Sequence, residues 1–321
     1  MRIRLASFAI VLPALLVSFI FVYLFIVWTG YASLTAWNQI GGLKNLLPDF
    51  PFVGLGNYQG IFTTDRFWPT DIVNTAVFTV CFVLLSFCVG LLLAILLDQG
   101  IRGESIFRNI FLLPMALSFV VTGTIWAWIF NPRTGINELL DPLGINAIRD
   151  GLLGFAPLQP LWGLLDALHI NVLRMGLSTD PRAALGTVVI AAAWQMSGFV
   201  MAMFLAGLRG ISDEIREAGR VDGASEIQIY WRLLIPQLRP VMISVIVLLG
   251  YISLKIFDLV FVMTRGGPGV STDFPSIFLF DSAFKGQLWA RGAAIAIVMF
   301  AVSAIVVLPY MWSQLRSERG R

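Results

Sequence analysis

Apolar residues fall into six long runs separated by polar or turn-rich segments, at about Phe8–Trp28, Ile72–Leu97, Ile106–Phe130, Ala183–Leu205, Val241–Met263 and Ala290–Trp312. At 1.5 Å per residue, each can cross a hydrocarbon layer of about 30 Å as a helix. The pattern predicts an all-α membrane protein, a polytopic bundle of six transmembrane helices. A removable N-terminal signal is the competing explanation of the first run. Such a signal has an apolar core of about 7–15 residues and a small-residue cleavage site just beyond, which the longer first run does not match. Its aromatic end, Trp28, Tyr31 and Trp37, suits a membrane interface.

The punctuation between runs places the loops. Residues 29–71 carry Gly41-Gly42, Pro48, Pro51 and Asn57-Tyr58, and form an outer loop too broken to bury its own core. Gly100, after Asp98 and Gln99, is a helix stop. Pro114 lies inside the third run and predicts a kink, or a boundary between an interfacial piece and the true crossing. Residues 131–182 form the longest intervening segment. Within it Leu161–Leu168 fits a short helix lying on the outer surface, for partner contact or for packing over the mouth of the bundle. The expected organisation is an N-terminal span and outer loop (1–71) followed by a core (72–321) with an extended outer loop (131–182) and a polar loop (207–239).

Composition agrees: 58% of residues are hydrophobic and 13% charged, the latter about half the soluble norm. The net charge of +3 raises nucleic acid as a partner, but no basic run interleaved with aromatics is present to track phosphates, so none is expected. The cysteines, Cys81 and Cys88, sit in one apolar run and suit neither a disulfide framework nor a metal site. His169, the single histidine, rules out a multi-histidine metal site and reads as an outer-loop residue. Basic residues near the run ends set the orientation. With the N-terminus inside, short inner segments receive Arg2, Arg4, Arg102, Arg108, Arg209, Arg216, Arg220, Arg232, Arg239, Arg316, Arg319 and Arg321. Longer outer loops receive Lys44, Arg66, Arg133, Arg149, Arg174, Arg182, Arg265, Lys285 and Arg291. Both termini and the polar loop are therefore expected in the cytoplasm.

That polar loop has the grammar of two short helices. Ser212 can cap the first, with Asp213 and Glu214 against the positive end of its dipole. Ile215, Ala218, Gly219 and Asp222 share one small-residue face, and Gly223 stops the helix. Ser225 can cap the second, in which Ile227, Tyr230, Trp231 and Leu234 form an apolar stripe ending at Pro236. Arg209, Arg216, Arg220, Arg232 and Arg239 balance Asp213, Glu214, Glu217, Asp222 and Glu226, so the loop is neutral and a poor trap for anionic lipid or nucleic acid. The patterns fit a docking device or an ordinary amphipathic connector.

Glu217-Ala218-Gly219, three residues, Gly223, nine residues, then Leu233-Leu234-Ile235-Pro236 resembles the EAA loop of permease subunits in binding-protein-dependent ABC importers. The family pattern is Glu-Ala-Ala, three residues, Gly, nine residues, then Ile-x-Leu-Pro. Gly219 replaces the third small residue, and Leu and Ile are exchanged near the end. Gly54-Leu55-Gly56-Asn57-Tyr58, Asn74-Thr75, Asn131-Pro132, Phe257-Asp258 and Gly266-Gly267-Pro268-Gly269 look like the branch importing di- and oligosaccharides and related glycosides. The segment from Gly144 to Asp180 is longer than that branch carries.

The resemblance implies a coupling loop at 207–239, in which Glu217, Ala218, Gly219, Asp222, Gly223, Leu233, Ile235 and Pro236 engage a separate ATPase. It also implies two ATPase subunits, a second, homologous permease, an extracytoplasmic sugar-binding protein, and a place in a bacterial or archaeal cytoplasmic membrane. No cofactor is expected in this chain: ATP and Mg belong to the ATPase. A phosphate-cradling loop ends in Gly-Lys-Ser/Thr, and the lysines Lys44, Lys255 and Lys285 follow Leu43, Leu254 and Phe284. The chain is thus expected to be a transport subunit and no enzyme.

Ionisable groups at membrane depth are costly and face a cavity or each other. Lys255 and Asp258, at i and i+3 of the fifth run with Tyr251 one turn away, either line a substrate path or form a structural pair, unless Lys255 snorkels to the interface. Trp194, Gln195 and Asn74 are further path residues with packing as the alternative. A secondary transporter or channel acting alone would show an inverted repeat or a chain of buried acids, and an intramembrane enzyme a nucleophile–base pair; neither pattern stands out.

Overall fold

The computed structural model describes residues 11–37, 51–63, 66–131, 134–136, 138, 142, 144–171 and 180–319. Gly41-Gly42, Pro48, Pro132 and the basic residues Arg2, Arg4, Lys44, Arg133, Arg174 and Arg321 lie outside them. The described chain is nearly all helical; its sole β feature is an isolated antiparallel bridge between Thr35 and Phe52. In chain order the helices are α1 (Val11–Ser33), α2 (Gly56–Phe62), α3 (Ile72–Asp98), α4 (Glu104–Leu112), α5 (Phe119–Ile129), α6 (Ile145–Gly154) and α7 (Gln159–Ala167). They continue with α8 (Ala184–Arg209), α9 (Asp213–Val221), α10 (Glu226–Gln237), α11 (Arg239–Leu254), α12 (Asp258–Met263), α13 (Pro275–Phe280) and α14 (Trp289–Arg319).

By length and composition, four helices can cross a membrane unbroken: Val11–Ser33, Pro69–Asp98, Ala184–Arg209 and Trp289–Trp312. Two pairs qualify only together, across sharp bends: Glu104–Ala116 with Phe119–Ile129 at 99°, and Glu226–Gln237 with Arg239–Leu254 at 68°. The number of spans is therefore four to six. The third run leaves α-helical geometry at Pro114, which lacks the N–H that would continue the ladder, passes through a tighter turn over Leu113–Ala116 and bends at Leu117 and Ser118. Leu117 is extended, and Ser118 restarts the chain as the N-cap of α5, its hydroxyl accepting from the Val121 N–H at 3.2 Å.

The fifth run is not the continuous helix expected over Val241–Met263. α11 ends at Leu254 after 16 residues, Lys255–Phe257 leave helical geometry, and α12 restarts for six residues. Lys255 and Asp258 consequently stand on opposite sides of a break and do not share a helix face.

The chain divides into two compact units, residues 1–69 with 275–302, and 70–274 with 303–321. In the first, the Gly54–Tyr58 motif fastens the end of α1. Gly54 adopts φ +57°, and the Asn57 amide donates to the carbonyls of Ser33 and Thr35 at 2.8 Å each. Asp281 binds Arg66 and Lys285, each at 2.7 Å. Burial alone would raise the Asp281 carboxyl pKa, but hydrogen bonds from Lys285 and Arg66 outweigh it and hold the value below the ordinary one.

In the second unit, α8 is the most deeply buried of the long helices. Asn74, Phe78, Phe82, Ser86, Gly90 and Ala94 recur every four residues on the buried face of α3, and Gly90 lets α8 come close. A Cβ on Gly90 would lie 2.5 Å from Val200 and 2.9 Å from the Met201 backbone nitrogen. Between apolar helices in lipid, such small residues permit the close contact from which association derives. Gly198 plays the same part toward α4, where a Cβ would collide with the Phe111 carbonyl.

Because that neighbour is backbone, Gly198→Ala has no cheap relief. Overpacking of this kind costs about 1–3 kcal/mol, and the substitution is expected to lower the thermal unfolding midpoint of the detergent-solubilised protein.

Candidate functional site

The polar loop folds as a small helical pair built by its own caps. The Ser212 hydroxyl accepts from the Glu214 N–H at 3.3 Å, and Gly223 at φ +76° ends α9. The Ala224 N–H returns to the Gly219 carbonyl at 3.0 Å. Ser225 and Gln228 close a reciprocal capping box at the start of α10, with bonds of 3.4 and 2.8 Å. Ser225 was legible as a cap; its partner Gln228 was missed, though Ser-x-x-Gln is the sequence form of the box.

The two predicted faces are each divided. In α9 the third small residue, Gly219, is buried and Ile215 half-buried, while Glu217, Ala218 and Asp222 are exposed, with Val221 86% exposed beside them. In α10 Tyr230 and Leu234 are buried, but Ile227 and Trp231 are 72% and 64% exposed. The cause is a wide π-helical stretch at Ile229–Leu234, where each residue turns less about the axis than in an α-helix and the stripe unwinds. Leu233 packs toward Gly219, and Ile235 and Pro236 form the last turn of α10.

Three residues outside the expected set fix this pair in place. Asp98, at the end of α3 and 4% exposed, receives Arg216 at 2.8 Å and the Tyr230 hydroxyl at 2.7 Å on the same carboxylate oxygen. Arg216 also donates to the Leu208 carbonyl of α8 at 3.2 Å, and its guanidinium stands 5.8 Å from the Tyr230 ring centroid. Burial, followed by the Asp98 hydrogen bond and charge, pushes the Tyr230 phenol up to about 12. The phenol stays a neutral donor at any physiological pH. Burial opposes the Arg216 cation, yet the Asp98 bond prevails and raises its pKa. Asp98 had read only as part of a helix stop, Arg216 only as one of a charge tally.

A second feature lies at the break after α11. A cavity of about 240 Å³ is walled by residues 251, 252 and 255–259 together with Phe119 at the start of α5. It gathers Tyr251, Lys255 and Asp258. The Lys255 ammonium donates to the Tyr251 hydroxyl at 2.8 Å and lies 4.4 Å from the ring centroid. Among the described residues no ion pair joins Lys255 to Asp258, and both side chains are exposed. Trp194, Gln195 and Asn74 lie outside the cavity wall. Trp194 meets Trp126 edge-on at 5.7 Å. The buried Gln195 amide donates to the Leu117 carbonyl at 2.7 Å. The Asn74 amide donates to the carbonyls of Val270 and Asp273 at 3.0 Å, tying that segment to α3.

Gly219 is where the chain departs from an Ala-Ala pair, and a Cβ there would stand 2.8 Å from Leu233 Cδ1 and 3.1 Å from Ile229 Cγ1. Overpacking costs about 1–3 kcal/mol, while alanine's helix propensity returns at most about 1 kcal/mol. Gly219→Ala is therefore expected to loosen the helix pair by about 1 kcal/mol, visible as faster amide hydrogen exchange across residues 213–237.

Comparison with known proteins places the chain in a family. The chain is 40% identical over 310 residues to a probable ABC transporter permease protein of Pyrococcus horikoshii, covering 96% of this chain and 95% of the relative. It is 35% identical to the xylose/arabinose import permease of Haloferax volcanii, over 90% of this chain and 82% of the relative. The crystal structure of a bacterial ABC transporter involved in alginate import superposes with a TM-score of 0.74 at 18% identity, covering 99% of this chain and 96% of that one. Residues 86–320 match the family model of the inner membrane component of binding-protein-dependent transport systems, and the protein belongs to that family as a multi-pass membrane permease.

Proposed function

We propose that the chain forms half of the translocation path of an ATP-driven sugar importer and that α9 is the handle gripped by a separate ATPase. The observation that carries this is the helical pair α9–α10. It is capped at both starts, braced from within by Gly219, and exposes Glu217, Ala218, Val221 and Asp222 on one side. That side sets an apolar residue beside two carboxylates on a capped helix, a mixed surface suited to a partner that offers both an apolar groove and a basic group. Glu217 is the polar anchor to a basic residue of the ATPase. Gly223, Leu233, Ile235 and Pro236 hold the mount's shape.

The complex contains two such ATPases, which bind ATP and Mg, a second permease of the same family, and an extracytoplasmic sugar-binding protein. Six crossings, the third divided between α4 and α5 and the fifth between α11 and α12, place both termini and α9 in the cytoplasm, following the distribution of arginines. Closure of the ATPases on ATP moves the handles and turns the path outward, a two-state element coupled to a remote chemical step. The relatives' names favour a sugar: one imports xylose and arabinose, and a permease of Thermococcus litoralis, 28% identical over 306 residues, belongs to a trehalose/maltose system.

The path runs by the cavity at Tyr251, Lys255 and Asp258, where ammonium, phenol and carboxylate offer donors and acceptors to a polyol beside aromatic faces. In broken membrane helices, backbone departs from regular structure where it lines a cavity. Asn74, Gln195 and Trp194 support the path from outside the wall, by the bonds and ring contact already described.

Tagging the chain in its native host should recover an ATPase and a second permease. Glu217→Lys is expected to lower ATPase recovery about ten-fold or more, since reversing one charge of a close interfacial pair costs several kcal/mol; membrane insertion should be unaltered. Normal recovery and uptake would reject the docking role, and sugar uptake by the chain alone down an ion gradient would reject the importer.

In reconstituted complex supplied with radiolabelled xylose, arabinose, trehalose or maltose, Lys255→Met should raise the apparent KM of the imported sugar roughly ten-fold, the loss of one charged hydrogen bond. Unchanged KM with reduced assembly would assign Lys255 a structural part instead.

A further inference from the structure

The helical pair is joined by the chain to α8 and α11 alone, yet its firmest side-chain attachment is to neither. Asp98 lies 118 positions before Arg216 and 132 before Tyr230, and both bonds converge on one buried oxygen. Arg216 comes from α9 and Tyr230 from α10, so the two helices of the pair are pinned to a single point on α3. The same guanidinium reaches the Leu208 carbonyl, adding α8. A carboxylate this buried cannot swing into water without stranding Arg216, since breaking a buried pair from one side exposes an uncompensated charge.

We propose that Asp98, Arg216 and Tyr230 form a latch that makes α3 move as one body with the handle, so that ATP-driven displacement of α9 reaches the permease core through α3 as well as along the chain. The proposal rests on the docking of α9 to an ATPase. The three are positioning residues, because they touch neither nucleotide nor sugar.

α3 has somewhere to carry the motion. Roughly 28 Å from Asp98 at 1.5 Å per residue, Thr79 shares a hydrogen bond of 2.8 Å with Ser253. Ser253 lies between Tyr251 and Lys255, at the very end of α11 where the helix breaks beside the cavity. One helix thus links the mount of the handle to the break beside the path. A contiguous contact chain of this kind is a route, and its use is a matter for measurement.

The test uses the complete complex in lipid nanodiscs with Cys81 and Cys88 replaced by alanine. Spin labels are placed at Leu96→Cys on α3 and Arg220→Cys on α9, both exposed and neither on the face that the ATPase grips. Distances are measured without nucleotide and with ATP and vanadate. With the latch intact, one narrow distance should persist in both states. In Asp98→Asn the distance should broaden or shift on ATP binding by on the order of one helical turn, about 5 Å. Tyr230→Phe, which keeps the ion pair and so tolerates folding, should give a smaller change in the same direction. A purely structural attachment would alter yield without a nucleotide-dependent difference.

A label distance that already changes with ATP in the unsubstituted complex would overturn the latch, as would narrow, nucleotide-independent distances in both variants. If the unsubstituted chain recovers no ATPase, the docking of α9 fails and the latch with it, a pattern distinct from the other two.

Discussion

A backbone carbonyl released from a helix inside hydrocarbon has no water to turn to, and leaving it bare costs several kcal/mol. The whole architecture of the larger unit answers to that constraint. The break between α4 and α5 strands the Leu117 carbonyl, and the Gln195 amide from the buried helix α8 takes it. Ser118 satisfies the Val121 N–H in the first turn of α5. The break after α11 is closed by short returns, with Lys255 N–H to Ile252 and Phe261 N–H to Phe257. Irregular backbone survives at these two places because protein groups stand in for solvent, and the cavity forms between them.

The same economy of partners governs the far end of α3. A buried acid, an arginine and a phenol satisfy one another, and each would be costly alone. The consequence is a joint that is stiff without being covalent. Stiffness at the mount and irregularity at the breaks divide the labour: one region transmits displacement, the other can yield to it.

Much of this was legible in the chain. The apolar runs, the break at Pro114, the serine caps at Ser212 and Ser225 and the stop at Gly223 are local events, governed by residues within a turn of one another. The break at Lys255–Phe257 was not legible, because the stretch from Ile252 to Phe261 contains neither glycine nor proline. It is imposed by tertiary packing, with α12 lying against α5 where Gly123 admits the Leu259 carbonyl. Nor was the attachment at Asp98, whose partners lie more than a hundred positions away. The split of the α10 stripe escaped because a 3.6-residue period was assumed where the helix widens.

Gly219 has an implication beyond its own fit. Its missing methyl is the space that Leu233 fills, so the two positions, at opposite ends of the signature, are one volume shared between two residues. The family pattern sets alanine against an isoleucine branched at Cβ, where this chain sets glycine against a leucine branched one carbon further out. The departures from the family pattern at 219 and 233, fourteen positions apart in sequence, thus fall on a single contact.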